Sequence, residues 1–277
     1  MASNSMQLIV GRIPFFVCTP YFHDSLESHS GAEIFLDGTP REHNQNLAQG
    51  LIHLSPSSSY EYAKHPDLYW ILPDICTAST LEIRSVKLFS KKSLLDLNRE
   101  PIELSDQSET SNNLLKLLTE QWKGIHPVWK SASSEGPQPT ARILIGDRAL
   151  LEDQNSDWPF RYDLATLWQE WKGLPFVFGM WMIHRSVLES PGLREALQSY
   201  RAHLHQAVAD FRADPRHALE RWLKKYPSPI HLDDLLLYYN IIDYRFTPAH
   251  QESLREFYQE CALAGLIEKA PDLRFVL

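Results

Sequence analysis

The stretch SVKLF at residues 85–89 and the stretch LPFVFGMW at residues 174–181 decide the fold that this sequence predicts. Each is a short apolar run of the kind that forms a buried strand. If both are crossovers, residues 90–178 form an inserted lobe, and residues 1–89 with residues 179–277 form a lobe that contains both chain ends. Ligand sites favour the junctions between domains, so this two-lobed arrangement predicts a cleft between the lobes.

The rest of the chain indicates an α/β protein. Short strand-like runs between loops fill the first third, for example residues 7–13 and 33–36. The run ARILI at residues 141–145 predicts another buried strand. Residues 193–211 carry apolar side chains three and four positions apart, which predicts an amphipathic helix. Strands that alternate with helices, followed by a helical tail, are typical of the α/β class.

Composition excludes several classes of protein. Of the 277 residues, 43% are hydrophobic and 22% are charged, as in a globular domain. The net charge is −8 and no basic stripe is present, so we expect no nucleic-acid partner. No segment reaches the roughly 18 uninterrupted apolar residues of a membrane span. The first residues also lack the basic region of a signal peptide. These features predict a cytoplasmic protein without a membrane partner and leave its oligomeric state open.

Common catalytic and cofactor motifs are missing. The 11 glycines form neither GxGxxG nor GxxxxGK[ST], and the chain has no GxSxG and no HExxH. Cys18, Cys76 and Cys261 are widely spaced without a CxxC pair, which favours reduced thiols. Cys18 is then a core thiol unless a base activates it as a nucleophile. We expect neither a metal nor a cofactor.

Hydroxyl groups cluster in two strings that each precede a predicted helix, Ser55-Pro56-Ser57-Ser58-Ser59 and Ser108-Glu109-Thr110-Ser111. Hydroxyls and backbone N–H groups at a helix start can hold a carboxylate without an arginine. Simple helix capping is the alternative for either string taken alone. The role of Gly146-Asp147 has two similar alternatives, a turn or a wall of the cleft.

Taken together in chain order, a set of short strings resembles the chorismate dehydratase family of the futalosine menaquinone pathway. The strings cover nearly the whole chain: Val10-Gly11-Arg12-Ile13-Pro14, Leu54-Ser55-Pro56 with Ser58-Ser59 and Glu61-Tyr62-Ala63, Leu72-Pro73-Asp74, Ser85-Val86 with Leu88-Phe89-Ser90, Ser108 with Thr110-Ser111, Ile145-Gly146-Asp147 with Ala149-Leu150, Tyr162-Asp163-Leu164 with Trp168, and Gly173-Leu174-Pro175-Phe176-Val177-Phe178 with Trp181.

The resemblance implies a type II periplasmic-binding-protein-like fold and conversion of chorismate to 3-[(1-carboxyvinyl)oxy]benzoate by loss of water. It implies a small-molecule dicarboxylate as the ligand and no cofactor. By the family's pattern, hydroxyl side chains line the cleft, at Ser58, Ser85, Ser108, Thr110 and Ser111. Gly146 and Asp147 complete the predicted substrate site.

One departure from the family's pattern affects the predicted chemistry. Val17 stands where the family has an asparagine implicated in catalysis, although a shift of one residue places Cys18 there instead. Valine can neither donate nor accept a hydrogen bond through its side chain. Either other groups run the reaction, or the chain is a paralogue that binds chorismate or a related aromatic carboxylate without turnover. The sister enzyme that makes 1,4-dihydroxy-6-naphthoate is disfavoured, because its usual Ser-Pro-Cys-Pro-Asn-Asp string is missing, and the lack of an export signal disfavours a transport receptor.

Overall fold

The computed structural model describes residues 7–26, 29–30, 33–132, 138–155 and 157–276 of the chain. Within them the strands, β1 to β11, run Leu8–Arg12, His29–Ser30, Glu33–Asp37, Leu54–Ser58, Tyr69–Ser79, Val86–Ser90, Pro101–Glu103, Val128–Lys130, Ala141–Ile145, Phe160–Asp163 and Phe176–His184.

The α-helices, α1 to α11, run Thr19–Phe22, Pro40–Ala48, Ser59–Lys64, Glu109–Lys116, Gly146–Asn155, Leu164–Lys172, Ser186–Glu189, Pro191–Ala213, Pro215–Lys225, Leu232–Tyr239 and Pro248–Leu263. Phe16–Cys18 and Leu95–Leu97 are 3₁₀ turns, and Leu117–Trp122 is a π-helical extension of α4. No helix in the described part of the chain is both long and apolar enough to cross a membrane.

The described strands form two sheets. Six strands in the order β2-β3-β1-β4-β11-β5 make the first sheet, and five in the order β10-β6-β9-β7-β8 make the second. The second sheet is drawn from the middle of the chain, whereas strands on both sides of that middle build the first. Helices pack around the sheets, and the predicted α/β class is confirmed.

The strand β11 begins at Phe176, two residues later than the apolar run suggested. Pro175 has no backbone N–H to give to a strand partner, so pairing starts after it. The aromatic stretch around this strand is core, because Trp168 and Trp181 have no exposed surface. Trp168 donates its Nε1–H to the Ser253 hydroxyl at 3.0 Å, which ties α6 to α11.

The predicted lobe limits, 89/90 and 178/179, fall inside two strands. β6 pairs with β9 and β10 in the second sheet, and β11 pairs with β4 and β5 in the first. We therefore propose that the chain crosses between lobes at residues 80–85 and 173–175 instead. The apolar pattern located both strands but carries no information on which sheet each one joins.

Candidate ligand cleft

A cleft lies where the two sheets meet, and elements of both form its walls. The space between the lining atoms is about 690 Å³, open solvent at its mouth included. The lining residues come from five strands (β4, β5, β6, β9 and β11), the turn after β1, the crossover before β6, and the starts of α2, α4 and α5. They are Ile13, Phe15, Val17, Cys18, Pro40, Pro56, Ser57, Ser58, Thr77, Ile83, Ser85, Val86, Ser108, Ser111, Ile145, Gly146, Phe178 and Gly179.

None of the described residues that line this cleft carries a charge. All are apolar, hydroxyl-bearing or glycine, except for the thiol of Cys18. Burial, reinforced by the nearby Asp147 carboxylate, raises the pKa of the Cys18 thiol, so Cys18 is neutral. A neutral, buried thiol is a poor nucleophile. Any anion in this cleft must therefore be held by hydroxyl and backbone groups. The described residues contain no group of three or more His, Cys, Asp or Glu side chains placed to hold a metal ion.

The turn that carries Val17 is fixed through its backbone. The hydroxyl of Tyr239 donates to the Phe16 carbonyl at 2.7 Å, and the hydroxyl of Tyr244 donates to the Val17 carbonyl at 2.9 Å. The Phe16 N–H donates to Asp147 Oδ1 at 3.1 Å, which links the turn to α5, the helix that follows β9 of the second sheet. Three bonds to backbone atoms hold the turn against the cleft whatever side chain it carries at position 17.

The two hydroxyl strings use their side chains differently. Ser58 precedes α3 as its N-cap residue, yet its side chain makes no capping bond. Ser108 precedes α4 and accepts from the Ser111 N–H at 3.2 Å, so helix capping holds there. Both hydroxyls line the cleft, but only that of Ser58 is unused by its own helix.

Gly146 and Asp147 begin α5 and do not form a free turn. Gly146 has φ = 60°, the left-handed region, and lies on the cleft wall. An added Cβ there would come within 3.1 Å of the Phe15 ring, so both conformation and space call for glycine. Asp147 lies just behind the wall. Burial raises its pKa to about 7, although the bond from the Phe16 N–H works in the opposite direction.

Thr110 also lies behind the wall, outside the lining set. It is 1% exposed, and its Oγ1 accepts from the Tyr60 N–H at 2.8 Å. This bond joins α3, which follows β4 of the first sheet, to α4, which follows β7 of the second. The Lys64–Glu109 ion pair at 2.7 Å spans the same contact. The structure thus brings together Ser58, Ser85, Ser108, Ser111 and Gly146, and places Thr110 and Asp147 in supporting positions. That these residues bind substrate stays a prediction.

We expect Thr110→Val to lower the free energy of unfolding by about 1–3 kcal/mol, because it leaves the buried Tyr60 N–H without an acceptor. Chemical denaturation measures this loss. Thr166→Val, which removes a hydroxyl that donates to the exposed Leu81 carbonyl, is the control with a smaller expected cost. A loss of ligand affinity in Thr110→Val without a loss of stability would instead make Thr110 a ligand contact.

Two side chains that reach the cleft serines escaped the sequence reasoning. Asn44 in α2 donates its Nδ2 to Ser58 Oγ at 3.2 Å, and Tyr238 in α10 donates its hydroxyl to Ser85 Oγ at 2.9 Å. Neither residue belongs to a hydroxyl string or a family string, and Tyr238 is 153 residues from its partner. No signal in a single sequence marks such pairs.

Comparison with known proteins gives consistent findings. Residues 8–263 match a family model described as menaquinone biosynthesis. A chorismate dehydratase from Thermus thermophilus is 34% identical over 184 residues, which is 60% of this chain and 67% of that protein. A solved structure from Archaeoglobus fulgidus is similar with a TM-score of 0.74 at 18% identity, covering 95% of this chain and 100% of the other.

The periplasmic aliphatic sulphonate binding protein of Escherichia coli has a TM-score of 0.68 at 15% identity, with 98% of this chain and 92% of the other covered. At such low identity the likeness concerns the fold alone. It confirms a two-lobed, periplasmic-binding-protein-like fold for this chain.

Proposed function

Because this chain belongs to the menaquinone-biosynthesis family, we propose that it is a chorismate dehydratase, a hydro-lyase that converts chorismate to 3-[(1-carboxyvinyl)oxy]benzoate. The 34% identity to the Thermus thermophilus enzyme supports this assignment. The observation that carries it is the cleft itself, where Ser58, Ser85, Ser108 and Ser111 converge between apolar walls.

The lining suits a small aromatic dianion. Hydroxyl groups can donate to two carboxylates, while the rings of Phe15 and Phe178 and the side chains of Ile83 and Ile145 contact the carbocycle. A cleft without lysine or arginine binds such an anion only if its neutral donors are already oriented, because reorienting them would cost free energy. Closure of the lobes would exclude water and strengthen each of these hydrogen bonds.

The reaction makes limited demands on the protein. The ring carbon that bears the ether loses its proton, and that C–H electron pair forms a ring double bond. The neighbouring carbon loses its hydroxyl, which leaves with a proton as water, and the ring becomes aromatic. Holding the two breaking bonds in a productive conformation is the main task of the cleft, and such positioning accelerates reactions strongly.

Val17 favours a second candidate, a paralogue that binds chorismate without converting it. Its side chain is on the cleft wall, where the family's asparagine would offer an amide to the ligand. The turn around it is held by its backbone, so loss of the amide need not disturb the cleft. Binding could therefore survive the loss of turnover.

Incubation of the purified protein with chorismate tests the proposal. We expect the aromatic product to appear by ultraviolet absorbance and to be identified by mass spectrometry. Calorimetric binding of chorismate with no product would reject the dehydratase and favour the paralogue. In that case turnover by Val17→Asn, with none by the apolar control Val17→Leu, would show that the chain is a lapsed enzyme.

A further inference from the structure

Tyr238 is a buried phenol aimed at the cleft from outside its lining. It is 1% exposed and donates to Ser85 Oγ at 2.9 Å, and Ser85 itself lies on the cleft wall. Burial raises the pKa of the Tyr238 phenol well above its ordinary value, so it stays protonated. The proton that the phenol keeps is the one it donates to Ser85 Oγ.

Asn44 holds a second cleft serine in the same way. Its Nδ2 donates to Ser58 Oγ at 3.2 Å. Its Oδ1 is buried and has no hydrogen-bond partner among the described residues. A carboxamide nitrogen can only donate, so this contact too occupies a lone pair of a serine oxygen.

A serine hydroxyl has one proton and two lone pairs, and a donor on the oxygen leaves the proton free to point elsewhere. Neither Ser58 nor Ser85 donates its proton to another protein atom in the described part of the chain. Ser108 and Ser111 differ, since their hydroxyls lie 3.0 Å apart and bond each other. The other two lining hydroxyls are also paired, Ser57 with Ser55 at 2.8 Å and Thr77 with Tyr21 at 2.9 Å. Among the described lining residues, Ser58 and Ser85 are thus the hydroxyls that only accept from a protein partner, which leaves their protons for a ligand.

We propose that Tyr238 and Asn44 are positioning residues that fix the Ser85 and Ser58 hydroxyls as donors to a carboxylate in the cleft. The inference deepens the proposed function and rests on it only in taking the ligand to be a small carboxylate. Oriented neutral donors in a water-poor cleft can bind an anion that no charged side chain contacts.

Isothermal titration calorimetry with two probes, chorismate and the unreactive benzene-1,3-dicarboxylate, tests the role of Tyr238. We expect Tyr238→Phe to raise the Kd for both probes about tenfold, because the Ser85 proton loses its preferred direction. Tyr200→Phe is the matched control, since Tyr200 is equally buried and its hydroxyl has no partner among the described residues. Its Kd should equal that of the wild type.

A double-mutant cycle separates positioning from a structural role. In a Ser85→Ala background, Tyr238→Phe should change the Kd no further, because there is no serine hydroxyl left to orient. A structural role would instead give additive losses in the two variants, and that result would overturn the proposal.

Asn44→Asp provides an independent test of the proposal if Tyr238→Phe fails to fold. An aspartate accepts the Ser58 proton, which reverses the polarity of this hydroxyl and adds a negative charge. We expect the Kd to rise about a hundredfold, against less than about threefold for Gln45→Glu, which adds the same charge at the next, exposed position. Equal effects of the two variants would show that charge alone is felt, and would overturn the role of Asn44.

The two hypotheses fail in different ways. If the wild type binds both probes but makes no product from chorismate, the dehydratase assignment fails and the positioning roles are still decided by the variants. If the wild type binds neither probe, the carboxylate-donor cleft itself is rejected.

Discussion

Asp147→Asn is expected to abolish a loss of ligand affinity that the wild type shows as the pH rises through about 7. The carboxyl group of Asp147 has its pKa raised to about 7 by burial, and it adjoins Gly146 on the cleft wall. Below that pH it is neutral, whereas above it a negative charge lies close to an anionic ligand. At a separation of several ångströms in a protein interior, such repulsion amounts to about tenfold in Kd.

The other groups that interact with Asp147 do not titrate in this range. Burial raises the pKa of Cys18, Tyr238 and Tyr239, so all three remain neutral as Asp147 ionises. Bound anion should raise the pKa of Asp147 further, by linkage, so binding near pH 7 should take up a proton. Calorimetry in buffers of different ionisation heat measures this uptake.

Stability should respond in a related way. A carboxyl group whose pKa is raised by folding destabilises the folded chain increasingly as the pH rises from the ordinary aspartate range to about 7. The asparagine can still accept from the Phe16 N–H, so the melting temperature of Asp147→Asn should exceed that of the wild type by a margin that grows with pH. Glu152→Gln, the same change on the same helix with its bond from Trp158 retained, is the control. An unchanged pH dependence in Asp147→Asn would contradict the assigned role.

The sequence predicts more of the fold than of the site. The strands β6 and β11 and the helix α8 follow from the pattern of apolar residues, and the family strings implied the periplasmic-binding-protein-like fold. Gly146-Asp147 shows where local rules stop. A glycine followed by an aspartate reads as a turn, but here the same pair begins a helix, with Phe15 packed against the space that a side chain would need.

The cleft serines were named from the sequence, but the use of each hydroxyl was not. Both strings have the composition of a helix cap, and only the structure shows that Ser108 caps while Ser58 does not. What distinguishes them is the Asn44 side chain, which approaches Ser58 from another helix. Tertiary contacts of this kind decide whether a hydroxyl serves its own backbone or a ligand, and local sequence contains no record of them.

Arg12 is the charged residue of the Gly-Arg-Ile-Pro string, and its side chain has a structural role. It is 1% exposed and does not line the cleft. Its Nε donates to Asp37 Oδ1, its Nη1 donates to the Ser25 carbonyl, and its guanidinium lies 5.4 Å from the centre of the Phe35 ring. The side chain thereby joins β1, β3 and the segment after α1.

We expect Arg12→Met to lower the free energy of unfolding by about 3 kcal/mol, because methionine fills much of the space but leaves the buried Ser25 carbonyl without this donor. The free energy of unfolding of Arg12→Lys should lie between those of the wild type and Arg12→Met, since an ammonium group keeps the charge but cannot reproduce the forked geometry. Arg201→Met, which breaks the exposed pair with Asp74, should cost less than about 1 kcal/mol. Denaturant titration ranks the three variants.

Arg12→Met also tests whether the guanidinium stabilises the fold or binds the ligand. Because Arg12 is buried and lies outside the cleft lining, the folded fraction of Arg12→Met should bind benzene-1,3-dicarboxylate with the affinity of the wild type. The opposite pattern, full stability with lost binding, would mean that the guanidinium reaches the ligand. The cleft would then hold its anion by charge, and oriented hydroxyl groups would no longer be needed to explain binding.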